Sequence, residues 1–541
     1  MRESNLLPEL IAIAADRTPN AEALTYGSKS LSYQRLATDV EQFASGLVGL
    51  GLRRGDRVAI YLEKRFETVV ASFGAPAAGG VFVPLNPLLK PDQVGYILRD
   101  CNVRVLVTSP ERFRLLAETI RDCPDLVHVV CTEGSAPAGA EPTASLQASE
   151  WSVLLNAPKR PGHRAIDTDM AAILYTSGST GQPKGVVLSH QNMVAGAKSV
   201  ASYLENCPDD TLLAALPLSF DAGFSQLTTA FHCGARVALL NYLLPRDVVK
   251  ALESERVTGL TAVPPLYIQL ARLEWPTGVQ QRLRYFANTG GRMPRETLML
   301  LRQRLPSSKP FLMYGLTEAF RSTYLAPEEV DHRPDSIGKA IPNAEILVLR
   351  ADGTLCDDDE PGELVHRGAL VGLGYWNDGM KTRERYKPLP AGIDARPAGL
   401  QLPEMAVFSG DTVRRDIDGF LYFIGRRDEM IKTSGYRVSP TEIEEVLYAT
   451  KLVGECVAFG VDHESLGQEI HVIATPPDGS QRLDTAAVLA DCRVRMPAYM
   501  LPARVHSASA PLPRNPNGKI DRKQLAAKFA TGPITSGDAL A

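Results

Sequence analysis

Apolar residues along this chain gather into short runs, and the stretches between them carry apolar positions at helical spacing. In the first part, up to about residue 156, strand-like runs occur at 57–62, 81–85 and 103–108, with helical patterns between them. Strands spaced by helices predict a mostly parallel sheet covered by helices. Residues 133–165 are rich in Ala, Pro, Gly and Ser and predict loop. The run 171–175 predicts another buried strand. The alternation then resumes at 212–216, 236–240, 260–263 and 284–287.

From about Ala344 the pattern changes to short strands and turns, at 345–349 and 362–365, which predicts a smaller β-rich subdomain. Residues 388–403 form a second Pro/Gly/Ala stretch, predicted to be an exposed excursion. A hairpin is predicted over 413–424 with Asp418-Gly419 as its tight turn. Beyond it a compact α+β unit begins, with a helix over 441–447 and a strand over 471–474. The predicted fold is therefore α/β. A large N-terminal body, 1–425, holds α/β subdomains and the β-rich subdomain, followed by a small mobile C-terminal α+β domain, 426–528, and a disordered tail, 529–541.

At 541 residues the chain is long for one core, in keeping with several structural units. The formal net charge of −4 and the lack of a basic run argue against nucleic acid as a partner. No window approaches the roughly 20 apolar residues of a membrane span, and the N-terminus lacks a signal-peptide layout. Eight cysteines without a C-x-x-C pair suggest reduced thiols and a cytoplasmic setting. Nine histidines without metal-ligand spacing suggest no transition-metal site.

The densest chemistry lies in Tyr175-Thr176-Ser177-Gly178-Ser179-Thr180-Gly181-Gln-Pro-Lys184-Gly185, with four Ser/Thr hydroxyls, three glycines and a lysine in eleven residues. Glycine lets successive N–H groups converge on one anion, hydroxyls add donors, and Lys184 adds charge. The pattern suits a polyphosphate. It is not a Walker A loop, because no Ser or Thr follows Lys184. A flexible surface loop is the plain alternative.

This undecapeptide resembles the signature loop of the AMP-forming adenylating enzymes, which include acyl-CoA synthetases, carrier-protein adenylation domains and luciferases. Further stations follow in the family's order. The resemblance implies that ATP and Mg2+ are used, with Thr176–Gly181 and Lys184 around the phosphates and Gly290 and Gly291 on the adenine side. In Tyr314-Gly315-Leu-Thr317-Glu318 it implies adenine stacking for Tyr314, phosphate contact for Thr317 and Mg2+ binding for Glu318. Asp411 matches the ribose-binding aspartate, Arg426 an AMP-side arginine and Asp428 the hinge. Gly435 and Tyr436 match the thiol tunnel, and Arg437 an AMP contact. Lys519, in Asn515-Pro-Asn-Gly518-Lys519, matches the C-terminal catalytic lysine.

One departure is informative. Phe220-Asp221 stands where many acyl-CoA synthetases carry histidine, whereas amino-acid adenylation domains carry Phe-Asp. A carboxylate facing an acyl pocket needs a cation, which points to an ammonium-bearing substrate. A helix N-cap is the alternative role for Asp221. Arg321 complicates this: it can pair with Asp221, bind an acidic side chain, or point away. The runs around Asp221 and Arg321 look most like stand-alone prolyl–carrier-protein ligases and exosortase-associated acyl-CoA ligases. The expected activity is acyl-AMP formation followed by transfer to a thiol. The first expectation is a small amino acid such as proline, passed to the phosphopantetheine of a separate carrier protein. An ordinary acyl-CoA ligase is the alternative, and a catalytically silent adenylate-binding scaffold the remote one.

Overall fold

The computed structural model describes residues 3–134, 146–176, 183–390, 392–393, 402–426, 429–433, 436–463, 466–477, 482–496, 498–515 and 518–530. Two large sheets form the body. One has eight strands, with Met170–Thr176 between Lys184–Ser189 and Val81–Pro84, and Arg57–Tyr61, Val103–Thr108 and His128–Cys131 beyond. The pairings from Val81–Pro84 outward are parallel, as the strand–helix alternation predicts. Lys184–Ser189 instead runs antiparallel to Met170–Thr176, with Thr176 opposite Lys184. The two flanks of the phosphate-type loop are thereby held side by side.

The second sheet has fourteen strands. Its parallel centre is Arg236–Leu239, Thr211–Ala214, Gly259–Ala262, Tyr285–Asn288 and Lys309–Tyr314. The β-rich strands are hydrogen-bonded onto this sheet through Ser336–Ala340, which pairs with Thr323–Leu325 on one side and Leu421–Arg426 on the other. Two local expectations are corrected. The stretch 133–165 contains a parallel edge strand, Gln147–Glu150, and a short helix, Trp151–Leu155. The hairpin turn is longer than two residues: Arg415 pairs with Leu421, and Asp416 N–H donates to Phe420 O at 2.9 Å, so Asp418-Gly419 sits inside a wider loop.

The element that positions the site is the helix Asp221–Cys233. It is buried from Asp221 to Phe231, as a helix packed on every side must be. Phe224 stacks on Phe82 of the first sheet at 4.7 Å and on Phe73 at 5.6 Å. Each such aromatic pair adds about 0.5–1.5 kcal/mol beyond its burial. Gly223 is required by close approach, since a Cβ there would lie 1.9 Å from Pro217 O. Gly234, at φ +83°, ends the helix in the left-handed conformation that glycine adopts without penalty.

The C-terminal part builds its own five-stranded sheet from Ile431–Thr433, Tyr436–Val438, Cys456–His463, Gly467–Ala474 and Arg504–Ser507. Helices Pro440–Ala449 and Thr485–Arg495 cover it around Ile443, Leu447, Val472 and Cys492. No helix among the described residues is long and apolar enough to cross a membrane.

Candidate active site

The site lies where strand ends of both sheets meet a turn from the C-terminal part. Ser177, Gly178, Ser179, Thr180, Gly181, Asp428 and Gly435 lie outside the described residues, as do the side chains of Tyr436 and Arg437. The flanks of the first loop are described. Lys184 starts its strand with its ammonium 5.5 Å from the centre of the Tyr375 ring. Burial, and then neighbouring Lys381, hold its pKa below the ordinary lysine value. A polyanion arriving here relieves that repulsion.

Glu318 sits in the single turn Thr317–Ala319 just beyond the strand Lys309–Tyr314. Its Oε1 accepts a hydrogen bond from Tyr375 Oη at 2.5 Å. Tyr375 therefore touches both the carboxylate and the lysine. It was not singled out from sequence, because a lone tyrosine on a two-residue strand carries no pattern; only its pairing opposite Val186 reveals it. Among the described residues no group of three or more His, Cys, Asp or Glu side chains could hold a metal ion. A lone hard carboxylate on a basic rim nevertheless fits Mg2+, which takes most of its ligands from phosphate oxygens and water.

Tyr314 and Asp411 meet directly: Tyr314 Oη donates to Asp411 Oδ2 at 2.5 Å, and Arg426 Nε lies 3.0 Å from Asp411 Oδ1. Burial raises the Asp411 pKa, and Arg426 and Tyr314 oppose that rise. The Tyr314 ring also lies 6.2 Å from Phe423. These residues come from three different strands of the large sheet, and their pairing is a product of strand order.

Lys519 follows Gly518, which turns at φ +81° and donates to Asn515 O at 2.9 Å. The turn delivers the lysine into the body. Its Cε lies 3.2 Å from where a Gly290 Cβ would be, and Phe220 and Val263 border the same point. Gly290 also has φ +77°, so both shape and conformation exclude a larger residue there. Burial lowers the Lys519 pKa, and Asp221 pulls it back up. Gly291 O accepts from Asn288 Nδ2 at 2.8 Å, which closes that turn. A Cβ on Gly315 would lie 3.2 Å from Arg321 Cα, so Gly315 lets the Arg321 backbone approach.

Asp221 is the first helical residue, after Phe220, and is not the cap. Its Oδ2 accepts from Arg321 Nη1 at 3.2 Å, with both side chains almost fully buried (4% and 3% exposed). Of the three roles open to Arg321, the structure shows pairing with Asp221. Burial raises the Asp221 pKa, opposed first by Arg321 and then by Lys519. Phe320, at φ +56° and fully buried, turns the chain so that Arg321 points inward. A non-glycine residue in that region is strained and needs packing to hold it; Gly196 leaves the space its ring fills. His366 lies behind, its Nδ1 2.9 Å from Ser322 Oγ, and burial drives its pKa down to about 3.

Residues 11–376 match the family model of the AMP-binding enzymes, and 442–519 match the AMP-binding enzyme C-terminal domain. The chain is 32% identical over 542 residues to the L-proline–[L-prolyl-carrier protein] ligase of Streptomyces coelicolor, with 96% of each covered. It is 30% identical over 524 residues to a feruloyl-CoA synthase of Amycolatopsis sp, covering 95% of this chain and 97% of that one. Against gramicidin S synthase 2 of Brevibacillus brevis it is 27% identical over 522 residues, with 94% of this chain spanning about 11% of that protein's length. In three dimensions it is similar to an anthranilate CoA ligase bound to anthranoyl-AMP, with TM-score 0.84, 23% identity and 98% of both chains covered. The chain belongs to the AMP-binding enzyme family and is an AMP-forming ligase of that family.

Proposed function

We propose that this chain converts a small carboxylic acid and ATP into an acyl-adenylate and pyrophosphate, then passes the acyl group to a phosphopantetheine thiol. The observation that carries it is Lys519, brought from the C-terminal part to Gly290 and within electrostatic reach of Asp221 and Asp411. In the first step a carboxylate oxygen bonds to the α-phosphorus and the bond to the pyrophosphate oxygen breaks. Negative charge grows on the oxygens between acid and phosphate, and the Lys519 ammonium is the group that offsets it. A donor so placed is typically worth ~10²–10³-fold in rate. Lys184 takes the leaving phosphates, and Asp411 accepts the ribose hydroxyls. Glu318 would hold Mg2+, which would supply charge neutralisation when bound. In the second step a thiolate attacks the acyl carbon and AMP leaves. For this the C-terminal part, 426–528, turns and withdraws Lys519 to admit the thiol.

The acid in this reading carries no ammonium group, because Arg321 already balances Asp221. The amino-acid reading retains one specific support, Asp221 Oδ1, a buried acceptor without a hydrogen-bond partner. The prolyl relative favours a separate carrier protein as acceptor and the feruloyl relative favours CoA. Substrate-dependent ATP–pyrophosphate exchange over aliphatic, aryl and amino acids tests the first step. Competition between CoA and holo-carrier protein tests the second. Unchanged exchange in Lys519→Ala would refute the mechanism.

A further inference from the structure

Beneath Arg321 lies a narrow cavity of about 10 Å³, bordered by Ala222, Ser225, Gln226 and Thr229 of the buried helix and by Met313 and Tyr285 of the sheet. Asp221, Ser225 and Thr229 recur every fourth residue, so one helix face runs from the reaction centre down into the cavity. Its size admits about one water molecule. Three of the lining residues each carry a buried side-chain atom that lacks a hydrogen-bond partner: Arg321 Nε, Gln226 Oε1 and Thr229 Oγ1. Gln226 is held in place from its other end, where Nε2 donates to Leu213 O at 2.6 Å. Buried polar atoms are nearly always paired, and an unpaired one costs about 1–3 kcal/mol. Three around one cavity imply an occupant that both donates and accepts.

We infer that this cavity receives the hydroxyl of a short hydroxy acid, which accepts from Arg321 and donates to Gln226, with Thr229 completing the contact. The inference rests on the ligase reading and names the substrate class within it. An alkyl tail would leave all three wall atoms unpaired. An ammonium group would meet Arg321, and a second carboxylate would enter beside Asp221 with Arg321's charge already balanced. A long or aromatic tail exceeds the space.

The test is ATP–pyrophosphate exchange by the full chain with Mg2+ on acids of matched length: butyrate, 3-hydroxybutyrate, 4-hydroxybutyrate, succinate and 4-aminobutyrate, with proline and benzoate beside them. A hydroxybutyrate should exceed butyrate in kcat/KM by about 10–100-fold, within the range expected for one or two added hydrogen bonds. Thr229→Val, which keeps shape, should shrink that ratio several-fold, and Gln226→Met should bring it near one. Highest activity with butyrate, succinate, an amino acid or benzoate overturns the inference and leaves the ligase reading standing, as does a hydroxyl preference that Thr229→Val does not reduce. Exchange with no acid of any class removes both.

Discussion

Replacing Arg321 by methionine roughly keeps its volume while removing the paired cation of the buried Asp221 carboxylate, which leaves Lys519 as the next opposing charge. Removing one partner of a buried pair commonly costs about 3–5 kcal/mol. Here the cost has a ceiling, because Asp221 can take up a proton instead. Protonating a carboxylate of ordinary pKa 3.9 costs about 4 kcal/mol at pH 7 and about 1.5 kcal/mol at pH 5. Burial already pushes this group's pKa up, and removing Arg321 takes away the main opposing charge. A raised pKa in the fold means that stability is present at low pH and lost as pH rises through it. Arg321→Met should therefore cost about 4 kcal/mol at pH 7 and markedly less at pH 5, and a second change, Asp221→Asn, should recover most of the pH 7 loss. Urea midpoints for the four proteins at both pH values measure this, with ATP–pyrophosphate exchange alongside. Arg321→Met should also gain relative activity with ammonium-bearing acids, since Asp221 then lacks its cation. A loss below about 1 kcal/mol at pH 7, or one equal at both pH values, would refute the reasoning from burial and pairing.

Other outcomes follow from the same geometry. Tyr375→Phe removes a hydrogen bond to the Glu318 carboxylate worth about 1.5–3 kcal/mol. The Mg2+ concentration for half-maximal exchange should rise about tenfold, with weaker Mn2+ binding to the ATP complex by electron paramagnetic resonance. His190 and His366 are buried with pKa values down to about 4 and about 3. Each adds stability that is present above about pH 6.5 and lost as pH falls, about 2 kcal/mol apiece by pH 5; His366→Asn should flatten the acid limb of urea midpoints against pH. Glu445 lies 3.7 Å from Arg292 and accepts from Arg295 N–H at 3.1 Å, and Lys451 reaches Glu296 at 3.1 Å. These contacts join the body to the C-terminal part in the orientation that inserts Lys519. Glu445→Gln should slow adenylation about 2–5-fold, in line with partly exposed pairs, and leave thioester formation from supplied acyl-adenylate unchanged. Lys519→Ala should lose about 10²–10³-fold in adenylation and much less in the thiol step, read by separate single-turnover assays.

The sequence by itself determined the α/β class, the strand positions of the body and the candidate residues from Lys184 to Lys519. Those signals are local: an apolar run makes a strand wherever it packs, and a Gly- and hydroxyl-rich loop has the same donors in any surroundings. Residues 57–62 and 103–108, for example, needed no partner to be recognised. Tertiary structure alone decided what those residues touch. Asp221 looked equally suited to cap a helix or to hold an ammonium, and its partner is Arg321, a hundred residues away on a strained turn braced by Phe320. Tyr375 carried no motif, yet strand pairing sets it between Glu318 and Lys184. The wide turn at Asp416 and the strand inside 133–165 likewise depend on register and on a sheet edge. Hydrogen bonds and ion pairs act over a few ångströms, whereas separation along the chain is blind to them. Which charge faces which in a buried pocket is fixed by packing, after the local pattern has finished its work.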